Sequence, residues 1–246
     1  MKGKVYLVGA GPGDPRLLTL RADELIQKAD VVLYDRLVTK RIMSRVPRGT
    51  PKVYVGRSIG DHTSHQDSTN HHMLEQAKKH KTVVRLKGGD PIIFGRGGEE
   101  AEYLKENGIK YEIVPGVTSG IGSATYAGIP LTHRKFASSV VFAAGHEDPG
   151  KESDGVDWKA MAGSVDTIVI MMGVTRIGTI CSELIEGGAD RGTPVAVIEN
   201  GTTPQERMIT GKLHNIEQLI KSSDIRPPAV IIIGGVVGLS EKIKWR

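Results

Sequence analysis

Cysteine is all but missing from this chain: Cys181 stands alone among 246 residues. No internal disulfide can form, and the thiol content gives no sign of an oxidising compartment. Cys181 lies in a helically periodic run at 177–185, which marks it as a buried structural thiol rather than a nucleophile. Aromatic residues make up only 4%, so the core is left to Val, Ile, Leu and Ala. The most apolar runs, 167–174 and 229–237, are too short to span a bilayer. No dense Lys/Arg run accompanies the net charge of +5. Lys78, Lys79 and Lys81 form the tightest cluster, at the end of an expected helix where cations suit the dipole. A modest positive excess favours anionic partners in general, and the expectation is a small molecule, with no nucleic acid and no membrane. The chain opens directly on a strand without a signal-peptide pattern, so the cytoplasm is the expected compartment. Histidines 62, 65, 71 and 72 match no metal spacing and lack supporting cysteine, so no metal is expected.

What the chain does have is glycine, 31 residues of it, set between short aliphatic segments. That pairing suits α/β architecture, in which tight turns join buried strands. Residues 4–9 read as a strand ending in a glycine loop. Thr19 is placed to cap a helix that carries Leu20, Leu25, Ile26 and Ala29 on one side. Residues 30–35 read as a second strand, apolar without alternation, which implies burial on both faces and a parallel or mixed sheet. Further strands are expected at 52–56, 82–87 and 111–114, with helices at 68–80, 98–107 and 117–127. The stretch 128–136 holds Gly, Pro and polar residues and reads as a link between halves. A second series follows, with strands at 138–144, 166–172, 193–198, 207–210 and 229–233 and helices at 175–187 and 215–221. The expected fold class is therefore α/β, with an N-terminal domain at 1–130, a linker at 131–136 and a C-terminal domain at 137–246. A ligand cleft is expected between the two domains.

Gly9-Ala10-Gly11-Pro12-Gly13-Asp14 follows a strand and precedes a helix, the placement of a dinucleotide-binding loop, with Asp35 suitably downstream to hold a ribose. The detail argues otherwise. Asp14 occupies the third glycine position, and Pro12 and Pro15 remove N–H donors that a pyrophosphate would need. A nicotinamide dehydrogenase is accordingly a poor match.

Taken in series, the motifs say more. Val8-Gly9-Ala10-Gly11-Pro12-Gly13-Asp14-Pro15 with Leu17-Leu18-Thr19-Leu20 resembles the opening of the tetrapyrrole methyltransferase superfamily. Tyr34-Asp35-Arg36-Leu37-Val38 and Arg85-Leu86-Lys87-Gly88-Gly89-Asp90-Pro91, running on through Phe94-Gly95-Arg96-Gly97-Gly98-Glu99-Glu100, narrow the resemblance to its uroporphyrinogen III-methylating branch. Val114-Pro115-Gly116-Val117-Thr118-Ser119, Ala127-Gly128-Ile129-Pro130-Leu131-Thr132-His133-Arg134, Met172-Gly173 and Asn200-Gly201-Thr202 extend it, in the same order, over nearly the whole chain.

The resemblance implies a homodimer of two-domain chains that uses S-adenosylmethionine as methyl donor. The implied reaction methylates two ring carbons of uroporphyrinogen III, C2 and C7, giving precorrin-2 on the route to sirohaem and cobalamin. Carried over by position, the cofactor contacts are Pro12, Gly88, Gly89, Asp90, Ile93, Thr118, Ser119, Met172 and Gly201. Asp35 matches the family's proton acceptor. Arg57 stands where the family usually has a lysine taken as proton donor, and a guanidinium does not release its proton in proteins. Arg57 therefore suits pairing with a substrate carboxylate or fixing charge in the site. Because the substrate bears eight carboxylates, Arg36, Arg96 and Arg134, each in or beside a motif, join it as candidate substrate contacts. Rival readings are a sister enzyme on a later corrin precursor, a methyltransferase of the same fold acting on RNA or protein, and a non-catalytic cofactor-binding module.

Overall fold

The computed structural model describes residues 2–56, 65–145 and 155–246, the side chains of 65–67 excepted. Arg57 and His62 lie outside the described residues. The chain divides into two compact units, Met1–Ser119 and Gly120–Arg246.

The first unit holds β1 (Lys4–Gly9), α1 (Leu20–Gln27), β2 (Val31–Tyr34), α2 (Lys40–Met43), β3 (Lys52–Tyr54), α3 (His65–Lys79), β4 (Thr82–Lys87), α4 (Gly97–Glu106) and β5 (Lys110–Val114). The strands form one parallel sheet in the order β3-β2-β4-β1-β5. Alternate residues of each strand face opposite ways, and both faces are covered. Val8, Val32, Val84 and Leu86 pack under Ala22, Leu25 and Ile26 of α1 and Ile42 of α2. Val5, Leu7, Leu33 and Val83 pack under Met73 and Ala77 of α3 and Ala101 and Leu104 of α4. This double burial is why the strands read as unbroken apolar runs. Thr19 caps α1 through Ala22 N–H at 3.1 Å, as its position implies.

One consequence of the strand order positions the site. β1 and β4 are neighbours, yet β1 leads to α1 on one face and β4 to α4 on the other. Where successive connections leave a parallel sheet toward opposite faces, a crevice opens at the carboxyl ends of the strands, and ligands of such sheets bind there.

The second unit takes in nearly all of α5 (Ser119–Tyr126), then β6 (Val140–Ala144), α6 (Trp158–Met161), β7 (Thr167–Met171), α7 (Ile177–Glu186), β8 (Pro194–Glu199), β9 (Arg207–Lys212), α8 (Ile216–Ser222), β10 (Ala229–Ile233) and α9 (Ser240–Ile243). Its sheet runs β6-β7-β10-β8-β9, parallel between β6 and β7 and antiparallel elsewhere. Trp158, Ile177, Ile180, Leu184 and Ile216 cover one face. Ala124, Ala127, Ile129, Val236 and Val237 cover the other. Cys181 is buried on the first of these faces, beside Ile177, Ile180 and Leu184, and burial pushes its thiol up to about 12, so it is inert packing.

The division between the units falls at Ser119/Gly120, earlier than the 131–136 linker expected from composition. The reason is packing: Ala124, Ala127, Ile129 and Ala137 bury their side chains against Val169, Ala196 and Ile232 of the second sheet. The polar, Gly- and Pro-containing 128–136 stretch is thus part of a folded unit, closed by a short bridge between His133 and Ala137. Three four-residue helices, α2, α6 and α9, escape sequence periodicity because each buries a single side chain: Ile42, Trp158 and Ser240. Among the described residues, no helix is long and apolar enough to cross a membrane.

Candidate active site

Four loops of the first unit meet at the carboxyl end of its sheet. Gly11 and Gly89 exchange backbone hydrogen bonds at 3.1 and 2.8 Å, tying the loop after β1 to the loop after β4. Both glycines have positive φ, 71° and 69°, which a side chain would strain. The loop after β5 closes on the same point, since a Cβ added to Gly9 would lie 2.6 Å from Gly116 Cα and 2.8 Å from Gly89 O. The loop after β2 joins through Leu37, whose Cβ would sit 2.7 Å from a side chain at position 88. These glycines exist so that four backbones can converge, which leaves peptide groups rather than side chains at the crevice. Gly116→Ala is expected to overpack this junction and cost about 1–3 kcal/mol of stability; an unchanged urea midpoint would contradict the geometry.

Asp90 locks the junction. Its Oδ1 accepts from Ile92 and Ile93 N–H at 2.8 and 3.0 Å, and its Oδ2 from Gly116 N–H at 3.0 Å. The carboxylate is thereby spent on backbone donors, and the loop it folds turns Ile92, Ile93 and Phe94 outward, each more than two-fifths exposed. Thr118 lies beside Gly89, with its Cα 3.7 Å from the position a Cβ there would take. Its hydroxyl oxygen is buried and, among the described residues, has no hydrogen-bond partner. A buried hydroxyl left this way costs stability unless a ligand completes it.

Asp35 follows β2 at the same edge. Its Oδ1 accepts from Leu37 N–H at 3.0 Å and its Oδ2 from Arg85 Nη2 at 3.0 Å. Arg85 in turn donates through Nη1 to Leu86 O at 2.8 Å and through Nε to Glu100 Oε1 at 3.3 Å. Lys87 Nζ donates to the same Glu100 oxygen at 2.9 Å. Side-chain exposure falls from 20% at Asp35 to 6% at Arg85 and Lys87 and 0% at Glu100. Two cations and two carboxylates thus form one chain, open to solvent at Asp35. Lys87 is held below the usual lysine range, chiefly by burial and then by Arg85's like charge, with Glu100 opposing both.

This quartet escaped the sequence reading, yet a signal was present. Arg85 and Lys87 are two apart on a strand, hence on one face, and the neighbouring residue of that face, Val83, is core. Two buried cations require a buried anion, and Glu100 in the first turn of the next helix supplies it.

Of the other residues singled out from sequence, Pro12 and Gly88 sit in the converging loops, and Ser119 opens α5 with its N 3.5 Å from where a Cβ on Gly89 would lie. Arg36 is exposed in the turn after Asp35. Arg96 is half-exposed and paired with Glu99 at 2.6 Å. In the second unit, Met172 follows β7 with φ of 57° and is 51% exposed, and Gly201 follows β8. Strands β7 and β8 both run antiparallel to β10, so these two residues share one sheet edge. Gly201 has a packing reason of its own, because a Cβ there would lie 2.6 Å from Ser123 Cβ on α5. Arg134 is exposed in the turn closed by the His133–Ala137 bridge. Arg57 falls outside the described residues.

Residues 4–217 match the family model described as Tetrapyrrole (Corrin/Porphyrin) Methylases. The chain is a tetrapyrrole methylase. This methylase is 49% identical over 238 residues to a uroporphyrinogen-III C-methyltransferase from Priestia megaterium, covering 97% of this chain and 100% of that protein. It is 51% identical over 244 residues to a siroheme synthase from Pseudoalteromonas atlantica, but spans only 52% of that protein's length. Its structure superposes on the uroporphyrin-III C-methyl transferase from Thermus thermophilus complexed with S-adenyl homocysteine with a TM-score of 0.82 at 43% identity, covering 96% of this chain and 93% of that one. The chain thus spans about half the length of the siroheme synthases it matches and the full length of the P. megaterium methyltransferase.

Proposed function

We propose that this tetrapyrrole methylase transfers methyl groups from S-adenosylmethionine to two ring carbons of uroporphyrinogen III, C2 and C7, giving precorrin-2 for sirohaem or cobalamin synthesis. The observation that carries the proposal is the junction at the first sheet's carboxyl edge. There, bare backbone, a buried Thr118 hydroxyl that has no hydrogen-bond partner among the described residues, and a carboxylate, Asp35, line one sheet edge. The near full-length similarity to the P. megaterium enzyme supports the same substrate.

The donor set suits an uncharged-edge contact to a nucleoside: peptide groups of Gly88, Gly89 and Asp90, the apolar Pro12 and Ile93, and the hydroxyls of Thr118 and Ser119. Met172 and Gly201 are the proposed contacts from the second unit. When bound, S-adenosylmethionine supplies an electrophilic methyl group on a sulfonium, which needs no metal. Holding the acceptor carbon in line is the protein's contribution, and proximity of that kind is worth several kcal/mol of barrier, roughly 7 or more in favourable cases.

Attack by an electron-rich pyrrole carbon leaves a cationic ring whose N–H proton must leave. Asp35 is the proposed acceptor, because its carboxylate is the only member of the buried quartet with substantial exposure. Arg36, Arg96 and Arg134 are the proposed partners of the substrate carboxylates. The Arg96–Glu99 pair is exposed, so exchanging it for a substrate carboxylate gives up little. Arg57 is proposed as another substrate contact rather than a proton donor. Homodimeric assembly and a cytoplasmic location complete the proposal.

The test is anaerobic incubation with S-adenosylmethionine and uroporphyrinogen III, followed by mass analysis. Two added methyl groups are expected; none, with turnover on a later corrin precursor, would move the assignment to a sister enzyme. Thr118→Val provides a second check. Removing an orphaned hydroxyl at constant shape should leave the fold as stable or about 1 kcal/mol more so. Calorimetric affinity for S-adenosylmethionine should fall about tenfold, the value of one lost hydrogen bond. Unchanged affinity would remove Thr118 from the site.

A further inference from the structure

We propose that Arg85 is a positioning residue for the methylation reaction: through the Arg85–Glu100–Lys87 cluster it fixes the orientation of the Asp35 carboxylate. The inference deepens the proposed function and rests on Asp35 acting there as proton acceptor.

Three facts support it. First, Arg85 is held from three directions, by Leu86 O, Glu100 Oε1 and Asp35 Oδ2, which leaves its guanidinium plane no freedom to turn. A donor fixed this way fixes its acceptor. Asp35 is also gripped on its other oxygen by Leu37 N–H, so both carboxylate oxygens are set. Second, Lys87 shares the Glu100 oxygen that Arg85 contacts. The ammonium supplies a counter-charge to Glu100 while Arg85 Nη2 serves Asp35. Third, four charges on a face otherwise made of Val5, Leu7, Leu33, Val83 and Leu104 are a poor way to stabilise a fold. Well-packed apolar side chains of similar volume do as well or better. A cluster with its single exposed end at Asp35 makes sense as a device for holding that end still.

The experiment is a double-mutant cycle on the full chain, scored by methyl transfer to uroporphyrinogen III and by calorimetric binding of S-adenosylmethionine. Arg85→Met is expected to lower kcat about 100-fold, the scale of a misplaced catalytic group, with cofactor affinity retained. The double variant Arg85→Met with Asp35→Asn is expected to turn over within about threefold of Asp35→Asn alone, since residues acting as one unit are not additive. Arg85→Lys keeps the charge but replaces three nitrogens in a planar fork, each making one of these bonds, with a single ammonium nitrogen, and it should not restore the rate. If Arg85→Met fails to fold, combining it with Glu100→Gln removes one charge of each sign and reads the same coupling. Losses that multiply, or an Arg85→Met enzyme as fast as the parent, overturn the inference while leaving Asp35 in place. A silent Asp35→Asn, or a parent that adds no methyl groups, overturns the underlying functional reading and this inference with it.

Discussion

Asp35→Asn is expected to lower turnover about 100- to 10,000-fold, the contribution typical of a positioned general base, with S-adenosylmethionine affinity nearly intact. Asparagine keeps the size of the side chain and can still accept from either Leu37 N–H or Arg85 through its carbonyl oxygen, but it can no longer take up a proton. Its second polar atom becomes a donor, so only one of the present acceptor contacts survives without rotation. The competing role, a ribose ligand, predicts the opposite pattern: weakened cofactor binding and a smaller change in kcat. Steady-state kinetics beside calorimetry separate the two, and a variant with full turnover would remove Asp35 from the chemistry altogether.

Glu100→Leu carries the largest expected stability effect. It leaves Arg85 and Lys87, each with a side chain only 6% exposed, without the carboxylate they share. Breaking a buried ion cluster by deleting one partner costs about 3–5 kcal/mol, a large part of a domain's total stability. The urea midpoint should fall accordingly. Replacing Arg85, Lys87 and Glu100 together with apolar residues should recover much of that loss, because the one charge then left without its partner is Asp35, the most exposed of the four. If the proposed role of the cluster holds, the recovered stability comes without recovered turnover. A Glu100→Leu chain as stable as the parent would show that the cluster is not a closed electrostatic unit.

The elements of the sheets were legible wherever β-branched and aliphatic residues cluster between glycines: β1, β4 and β10 run over 4–9, 82–87 and 229–233 as their composition implies. The site loops were legible for a related reason. Gly9, Gly11, Gly89 and Gly116 stand out in sequence because backbone convergence tolerates no side chain. Three things did not show. Strand direction in the second unit depends on where connections cross, which residue type does not record. The boundary between units was placed too late because Gly128 and Pro130 look like a linker, whereas Ile129 between them is 2% exposed and belongs to the second core. The charge cluster joins residues up to 50 positions apart, Asp35 to Arg85, and such partners become neighbours only through the parallel register that sets Leu33 beside Arg85.

The early boundary bears on any attempt to take the chain apart. A cut after residue 130, chosen from composition, would send α5 away with the first sheet and strip the second of Ala124, Ala127 and Ile129. The first fragment would carry an apolar helix with nothing to lie against, and the second would expose the bare flank of β7, β8 and β10. Domain exchange among related methylases, or insertion of a partner at the junction, should therefore respect a seam at Ser119/Gly120 and treat the Gly128–Pro130 bend as interior.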